Sequence, residues 1–521
     1  MPTLKIDDQE ITVEPGTSVL KAAAKLGIEI PHYCYHPALS IAGSCRMCLV
    51  EIEGHRKLEI SCATTAADGM AVHTDTPAVK KARKDILEFL LINHPLDCPV
   101  CDKAGECDLQ DYDYKYGSSH SRFPKEDKRV RPTKAFGGNI RYVTNRCILC
   151  TRCVRFYKDV VGEEVLFVEN RGYRSEISVF PGKELGDKLD GSITEICPVG
   201  ALLDEDFIYQ ARVWHLDHAK SVCPGCSAGC NIDIQTQHNK IYRIRSRENQ
   251  AVNQHWICDD GRYIFHKFED LERIESPLKR AGEKLNPTNW EEALSIIHDR
   301  VVLIKKSDGA KVIGAVGSVF ASNEENYLLK KLFKEEIGTD RLYVYTGLFD
   351  GEDVTYKNGF TIRAEKAPNR RGAEIIFGKI KSDLWKTIDK GEIKALYYIN
   401  ADKDFKLTDA QKNILKKLEF LAVQDFFLSD IAKLANVVLP GSYFAEKTGT
   451  FTNVQGCTQR FTKALKLPGL AKEDWAILVD LGRRFNSEWK MLSASDVMND
   501  LAENEAAFRG ISYFKLGDQG I

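Results

Sequence analysis

Fifteen of the sixteen cysteines lie within the first 258 residues, and they group by spacing into sets of four ligands. The sets are Cys34, Cys45, Cys48 and Cys62; His94, Cys98, Cys101 and Cys107; Cys147, Cys150, Cys153 and Cys197; and Cys223, Cys226, Cys230 and Cys258. Thiolate and neutral imidazole are ligands for soft transition metals. Four such sets on one chain read as metal clusters in series, and four one-electron centres would make a wire.

The first set has the spacing C-x10-C-x2-C-x13-C. Its middle pair lies in Gly43-Ser44-Cys45-Arg46-Met47-Cys48, where small residues let backbone N–H groups approach inorganic sulfide, so a 2Fe-2S centre fits and a zinc site is the rival. The second set, H-x3-C-x2-C-x5-C, is an unusual spacing that reads as a cluster with one imidazole ligand. Replacing a thiolate by neutral imidazole removes one negative charge and raises the potential. A zinc site of three cysteines and one histidine has the same ligand count and remains its alternative. The third set, C-x2-C-x2-C followed by a distant Cys197-Pro198, is a 4Fe-4S pattern, and its tight triple is hard to reconcile with zinc. The fourth, C-x2-C-x3-C-x27-C, again reads as 4Fe-4S. His32, His36 and His73 are taken as packed or surface residues. No G-x-G-x-x-G or Walker loop marks a nucleotide or flavin site, so electrons must arrive from another protein.

The elements that must hold these ligands can be read around them. Leu4 and Ile6, then Ile11 and Val13, alternate about Asp7-Asp8 as a hairpin; Thr17 is placed to cap a helix over residues 22–26 that stops at Gly27. A second hairpin pairs residues 49–52 and 58–60 around Gly54-His55, which makes a β-grasp of one small sheet and one helix. Val79, Ala82, Ile86, Phe89 and Leu90 recur at helical spacing until Asn93 and Pro95, with His94 at the break. Residues 118–215 have few periodic runs, as suits a region organised by metals, and the basic residues 125–134 read as a solvated loop. From about residue 273 strands alternate with helices: residues 312–317, Ala395–Ile399 and 420–424 are buried strands, and Ser322 with Glu325 forms a capping box for a helix reaching Gly338.

Composition narrows the class of partner. A formal charge of −2, with 73 basic against 75 acidic residues, argues against nucleic acid. No apolar run approaches the ~20 residues of a membrane helix, and residues 1–10 carry charges where a signal peptide has its apolar core. The expectation is a chain that is neither exported nor membrane-spanning, in a reducing compartment where cysteines serve as ligands.

With these sets in this order, the chain resembles the large iron-sulfur subunit (the G type) of bacterial respiratory complex I, the NADH:quinone oxidoreductase. The fourth set, the Asn323-Glu324…Tyr327 helix, and the stretch from Ala435-Asn436-Val437-Val438-Leu439-Pro440 to Gly456 resemble molybdopterin oxidoreductases. The resemblance implies an α+β multi-domain chain: an N-terminal β-grasp ferredoxin, iron-sulfur cluster domains, then a shortened α/β molybdopterin-oxidoreductase-like domain. The boundaries read 1–78 (2Fe-2S), 79–118 (4Fe-4S with one histidine and three cysteines), 119–215 (4Fe-4S ferredoxin-like), 216–272 (molybdopterin-oxidoreductase-type 4Fe-4S) and 273–521. It also implies one 2Fe-2S and three 4Fe-4S clusters relaying single electrons from a flavin-bearing, NADH-oxidising subunit towards quinone. Downstream iron-sulfur subunits of the peripheral arm would be partners, with a cytoplasmic location, peripheral on the inner membrane face through other subunits.

Three departures argue against molybdopterin: Asp260 stands where active relatives carry Lys or Arg, no cysteine lies between Cys258 and Cys457, and the last domain is short. Cys457 is expected to be an inert buried thiol. An iron-sulfur subunit of an NAD-linked formate dehydrogenase or hydrogenase is the alternative reading, and a zinc-stapled scaffold the non-enzyme one.

Overall fold

The computed structural model describes residues 1–118, 120–123, 127–347, 349 and 351–521. It divides into two compact units, Met1–Leu216 with Tyr356–Phe360, and Asp217–Thr355 with Thr361–Ile521. Among the described residues no helix is long and apolar enough to cross a membrane.

The first unit opens with a five-stranded sheet in the order Gln9–Thr12, Thr3–Ile6, Ala71–His73, Leu49–Ile52, Glu59–Ile60. Thr3–Ile6 pairs antiparallel with Gln9–Thr12 and parallel with Ala71–His73. The helix Val19–Lys25 buries Val19, Leu20, Ala22 and Ala23 in a core shared with Leu4, Ile6, Val50, Ile52 and Val72. Its cap corrects the sequence reading. Ser18, in extended backbone, accepts from Lys21 N at 3.4 Å, whereas the Thr17 hydroxyl donates to Glu14 O at 2.7 Å across the turn made by Pro15 and Gly16.

The helix Pro77–Leu91 carries Thr76 as its N-cap, and Lys128 donates to Leu91 O and Ile92 O at its C-terminal end. The basic segment is therefore more than a solvated loop: Arg131 also donates to Ser175 O at 2.9 Å and Tyr173 O at 2.9 Å. Lys125 of that segment lies outside the described residues. A three-stranded sheet (Leu202–Asp204, Ile140–Tyr142, Lys134–Gly137) and a hairpin (Leu166–Glu169 with Glu176–Val179) complete this unit's sheets.

The second unit begins with an antiparallel sheet of Asp217–Val222, Asn231–Gln237 and Lys240–Ser246. A seven-stranded sheet follows, ordered Lys284–Pro287, Leu278–Ala281, Val437–Pro440, Phe420–Asp425, Ala395–Ile399, Ile313–Ser318, Leu342–Tyr345. Its five central and edge strands from Val437–Pro440 onwards run parallel, and the first two are antiparallel. Parallel strands are covered on both faces, and the alternation shows it. Ala395, Tyr397 and Ile399 face one core with Leu294, Leu328 and Leu478, while Leu396 and Tyr398 face the other with Ile388, Leu415 and Ile431. Truncating Leu396 to Ala would therefore cost about 2–5 kcal/mol.

The strand placed at 312–317 runs Ile313–Ser318, since Ala310–Val312 is taken up by a 3₁₀ turn. The expected capping box is present: Ser322 Oγ accepts from Glu325 N at 3.2 Å and Glu325 Oε2 from Ser322 N at 3.0 Å. The helix is α only over Asn323–Lys331 and continues as a π-helical turn, Leu332–Ile337, to the left-handed Gly338.

Candidate functional site

Each of the four sets expected to be ligands sits where regular structure stops. In the first, Cys48 directly precedes the strand Leu49–Ile52 and Cys62 follows its partner Glu59–Ile60. Ser61 seals that end, donating from N (3.1 Å) and Oγ (2.8 Å) to Cys48 O. Gly43 and Arg46 turn the intervening loop with φ near +60°, and Cys34 N donates to Cys45 Sγ at 3.4 Å. The close pairing of Cys34 with Cys45 and of Cys48 with Cys62 favours the thiolate on Cys34 and Cys48 and pushes the partner thiols up. Cys34, Cys48 and Cys62 are buried.

The second set starts three residues beyond the helix Pro77–Leu91. His94 Nδ1 is buried without a hydrogen-bond partner, and burial lowers the imidazole to about 4, so it stays neutral, the form that binds metal. Cys98 opens the turn Cys98–Val100 and is exposed, whereas Cys101 and Cys107 are buried, Cys107 as N-cap of the helix Asp108–Tyr116. Burial pushes the Cys107 thiol up to about 11.

The third set converges. Cys147, Cys150, Cys153 and Cys197 all line one small cavity with Tyr142 and Ile177. The tight triple is wound by two non-glycine residues in left-handed backbone, Leu149 (φ 55°) and Thr151 (φ 58°), which alternate with the cysteines and turn Leu149 N to Cys147 Sγ at 3.4 Å. Such backbone is costly and marks functional loops. Cys197 follows the helix Ser192–Ile196. Burial raises Cys147 to about 11 and Cys150 to about 12, so loading a metal must displace protons.

The fourth set bridges two strand ends. Cys223 follows Asp217–Val222, Cys230 precedes Asn231–Gln237, and Cys223 N donates to Cys230 O at 2.8 Å, extending the ladder. Cys258 caps the short helix Asp259–Arg262. Gly225 N points at Cys223 Sγ (3.4 Å), and a Cβ on Gly261 would stand 2.8 Å from the same sulfur. Close backbone and N–H groups turned towards sulfur suit a sulfide-rich cluster. Among the described residues, no group of three or more His, Cys, Asp or Glu side chains is set to hold a single metal ion.

The sequence reading passed over the arginines and lysines around these sets. Arg155 donates from Nη2 to Cys34 O and, at 3.2 Å, to Cys150 O; Arg152 donates to Tyr35 O (2.7 Å) and Ile196 O (3.0 Å). The first and third sets are thereby stitched together. The second and third are also joined: Asp108 N donates to Pro198 O at 3.0 Å, and Gly200 packs so closely on Cys101 Sγ that a Cβ there would lie 2.3 Å away. The basic residues in and just after the third set's cysteine run were the available signal.

Beside the fourth set lies a pocket of about 290 Å³ whose lining includes Gly225, Asp260, Lys366, Tyr443 and Lys447. Lys366 approaches Asp260 (3.9 Å), Lys403 pairs with Asp404, and Lys447, 3% exposed, is held by Glu325 (2.8 Å) and Asp474 (3.1 Å). Lys267 also lines this pocket, and among the described residues it makes no ion pair, so the lining keeps one cation without a carboxylate partner. Cys457 is half-buried rather than fully buried as expected; burial still pushes its thiol up, and Cys457 N donates to Asn453 Oδ1 at 3.0 Å in the turn between its two strands.

Family models match nearly the whole chain in succession: a 2Fe-2S iron-sulfur cluster binding domain (1–77), the NADH-ubiquinone oxidoreductase-G iron-sulfur binding region (83–122) and the NADH-quinone oxidoreductase subunit 3 ferredoxin-like domain (137–203). The molybdopterin oxidoreductase Fe4S4 domain (217–269) and molybdopterin oxidoreductase (273–348 and 351–484) follow. The chain is 42% identical over 344 residues to the G subunit of NADH-quinone oxidoreductase from Rickettsia bellii (strain RML369-C), covering 66% of this chain and 50% of that one. It is 30% identical to the mitochondrial NADH-ubiquinone oxidoreductase 78 kDa subunit of Candida albicans (strain SC5314 / ATCC MYA-2876), over 93% of this chain and 82% of that one. Among solved structures, an NAD+-reducing [NiFe]-hydrogenase in the H2-reduced state is 32% identical with TM-score 0.37, covering 41% of this chain and 91% of that one. The chain spans about half the length of the bacterial relatives it matches.

Proposed function

This chain belongs to the family that holds the G subunit of NADH-quinone oxidoreductase and the mitochondrial 78 kDa subunit, and on that premise we propose that it relays single electrons from a flavin-bearing, NADH-oxidising subunit towards quinone. When bound, one 2Fe-2S and three 4Fe-4S clusters supply the one-electron chemistry. Cys34, Cys45, Cys48 and Cys62 hold the first; His94, Cys98, Cys101 and Cys107 the second; Cys147, Cys150, Cys153 and Cys197 the third; Cys223, Cys226, Cys230 and Cys258 the fourth. The chain divides functionally at 1–78, 79–118, 119–215, 216–272 and 273–521, the last part serving as scaffold without a pterin.

The observation that carries this reading is the shared backbone between sets. Arg155 spans Cys34 O and Cys150 O, and Gly200 lies against Cys101 Sγ three residues after Cys197. Ligands of separate inert sites would have no need of such closeness; members of a relay do. Apolar walls such as Tyr142 and Ile177 around the third set exclude water, and His94 keeps one ligand of the second set neutral. The chain works at the cytoplasmic face of the inner membrane, where partner subunits, including downstream iron-sulfur subunits of the peripheral arm, make the membrane contact.

The test is reduction by NADH. In the assembled complex NADH should reduce the cluster signals, whereas the isolated chain should respond to dithionite and not to NADH. Direct reduction of the isolated chain by NADH, or stoichiometric molybdenum with reduction by formate, would overturn the proposal.

A further inference from the structure

We propose that Arg155 is a shared charge that raises the reduction potentials of the first and third centres together; this rests on the relay reading above. The residue is buried, 8% exposed, and every hydrogen bond its guanidinium makes goes to a neutral oxygen: Cys34 O, Ser40 O, Cys150 O and Thr151 Oγ1. Among the described residues no carboxylate lies within ion-pair distance of it. The acidic group acting on it is Asp159, one turn further along, whose Oδ2 is occupied by Ser40 N at 2.8 Å.

A buried cation without a counter-ion is costly, and native proteins rarely keep one. The groups that face Arg155 on both sides are the ligand residues Cys34 and Cys150, and thiolate-ligated clusters are anions. The missing countercharge is thus supplied by the first and third centres when they are loaded. Reduction adds one further negative charge to either, and a fixed cation between them in a weakly screening interior stabilises the reduced form of each.

Arg152, one helical turn away, is the informative contrast. It lines the third set's cavity and so acts on that centre, but its hydrogen bonds go to Tyr35 O and Ile196 O, it makes none to a residue of the first set, and Asp108 offsets part of its charge. Arg155 is accordingly a positioning and potential-setting residue, not a ligand.

The experiment is an EPR-monitored redox titration of the full chain, resolving all four centres, for the wild type, Arg155→Gln, Arg155→Lys and Asp159→Asn. Arg155→Gln should lower the midpoints of the first and third centres and leave the second and fourth unmoved, while Arg155→Lys, which keeps the charge, should restore most of the loss. Asp159→Asn leaves Arg155 in place and should raise the same two midpoints, so the idea stays testable where Arg155→Gln does not load its clusters. Unmoved midpoints in a loaded Arg155→Gln protein or in Asp159→Asn, a shift in one centre alone, or equal losses in the Gln and Lys variants would each overturn the shared-charge role and leave the relay reading standing. A wild type without iron-sulfur signals would instead sink the relay reading itself.

Discussion

Gly200→Ala should empty the second centre selectively. A Cβ at this position stands 2.3 Å from Cys101 Sγ and 3.1 Å from Lys103 Cβ, against ordinary contacts of 3.4–4 Å, so something must move by about 1 Å. Neither side can yield readily. Gly200 O accepts from Arg146 Nη1 (3.5 Å), whose Nη2 is fixed on Asp97 (2.7 Å); Cys101 O is held by Arg212 Nη1 (2.7 Å). Overpacking of this kind costs about 1–3 kcal/mol. A ligand displaced by about 1 Å is also well outside the ~0.2 Å tolerance of metal–ligand distances. Iron per chain should fall by about 4 from a total of about 14, with loss of the His-ligated signal and retention of the others. Gly186→Ala is the control, since nothing lies within 4 Å of its added Cβ. A Gly200→Ala protein with full iron and an unchanged second-centre spectrum would refute the packing argument.

His94→Cys should keep its cluster and lower its midpoint, because a thiolate adds the negative charge that imidazole withholds; an unchanged spectrum and midpoint would remove His94 from the ligand set. Lys447→Met strands Glu325 and Asp474 as buried carboxylates and should cost about 3–5 kcal/mol in denaturant melts, partly recovered by Lys447→Met with Glu325→Gln; a melt like the wild type's would contradict the triad's role. Asp425 is held up to about 7 by burial, though Ser429, Asn400 and Phe427 N donate to it. Its folded form keeps a proton that the unfolded chain gives up near pH 4, so its contribution is whole below about pH 4 and is lost as pH rises towards 7. Asp425→Asn should flatten that part of the stability profile, and an unaltered slope would count against the assignment.

The grouping of the cysteines was legible in the sequence because their spacing is itself a local pattern, and so were the hairpin at Asp7-Asp8, the Ser322–Glu325 capping box and the buried strand Ala395–Ile399, where alternation and capping chemistry act over a few residues. What escaped was non-local. Arg155 meets Cys34 across 121 positions and Lys447 meets Glu325 across 122, and no periodicity announces such pairs. The π turn at Leu332–Ile337 was hidden because its apolar pattern resembles that of an α-helix. The capping shift from Thr17 to Ser18 shows how two adjacent hydroxyls can be told apart only when the preceding turn has taken one of them.

The relay stands or falls with iron and acid-labile sulfide in anaerobically purified protein, measured together with EPR of the dithionite-reduced sample. The account predicts about 14 irons per chain and four resolvable centres, one of them 2Fe-2S. Stoichiometric zinc with little iron and no signal would contradict it.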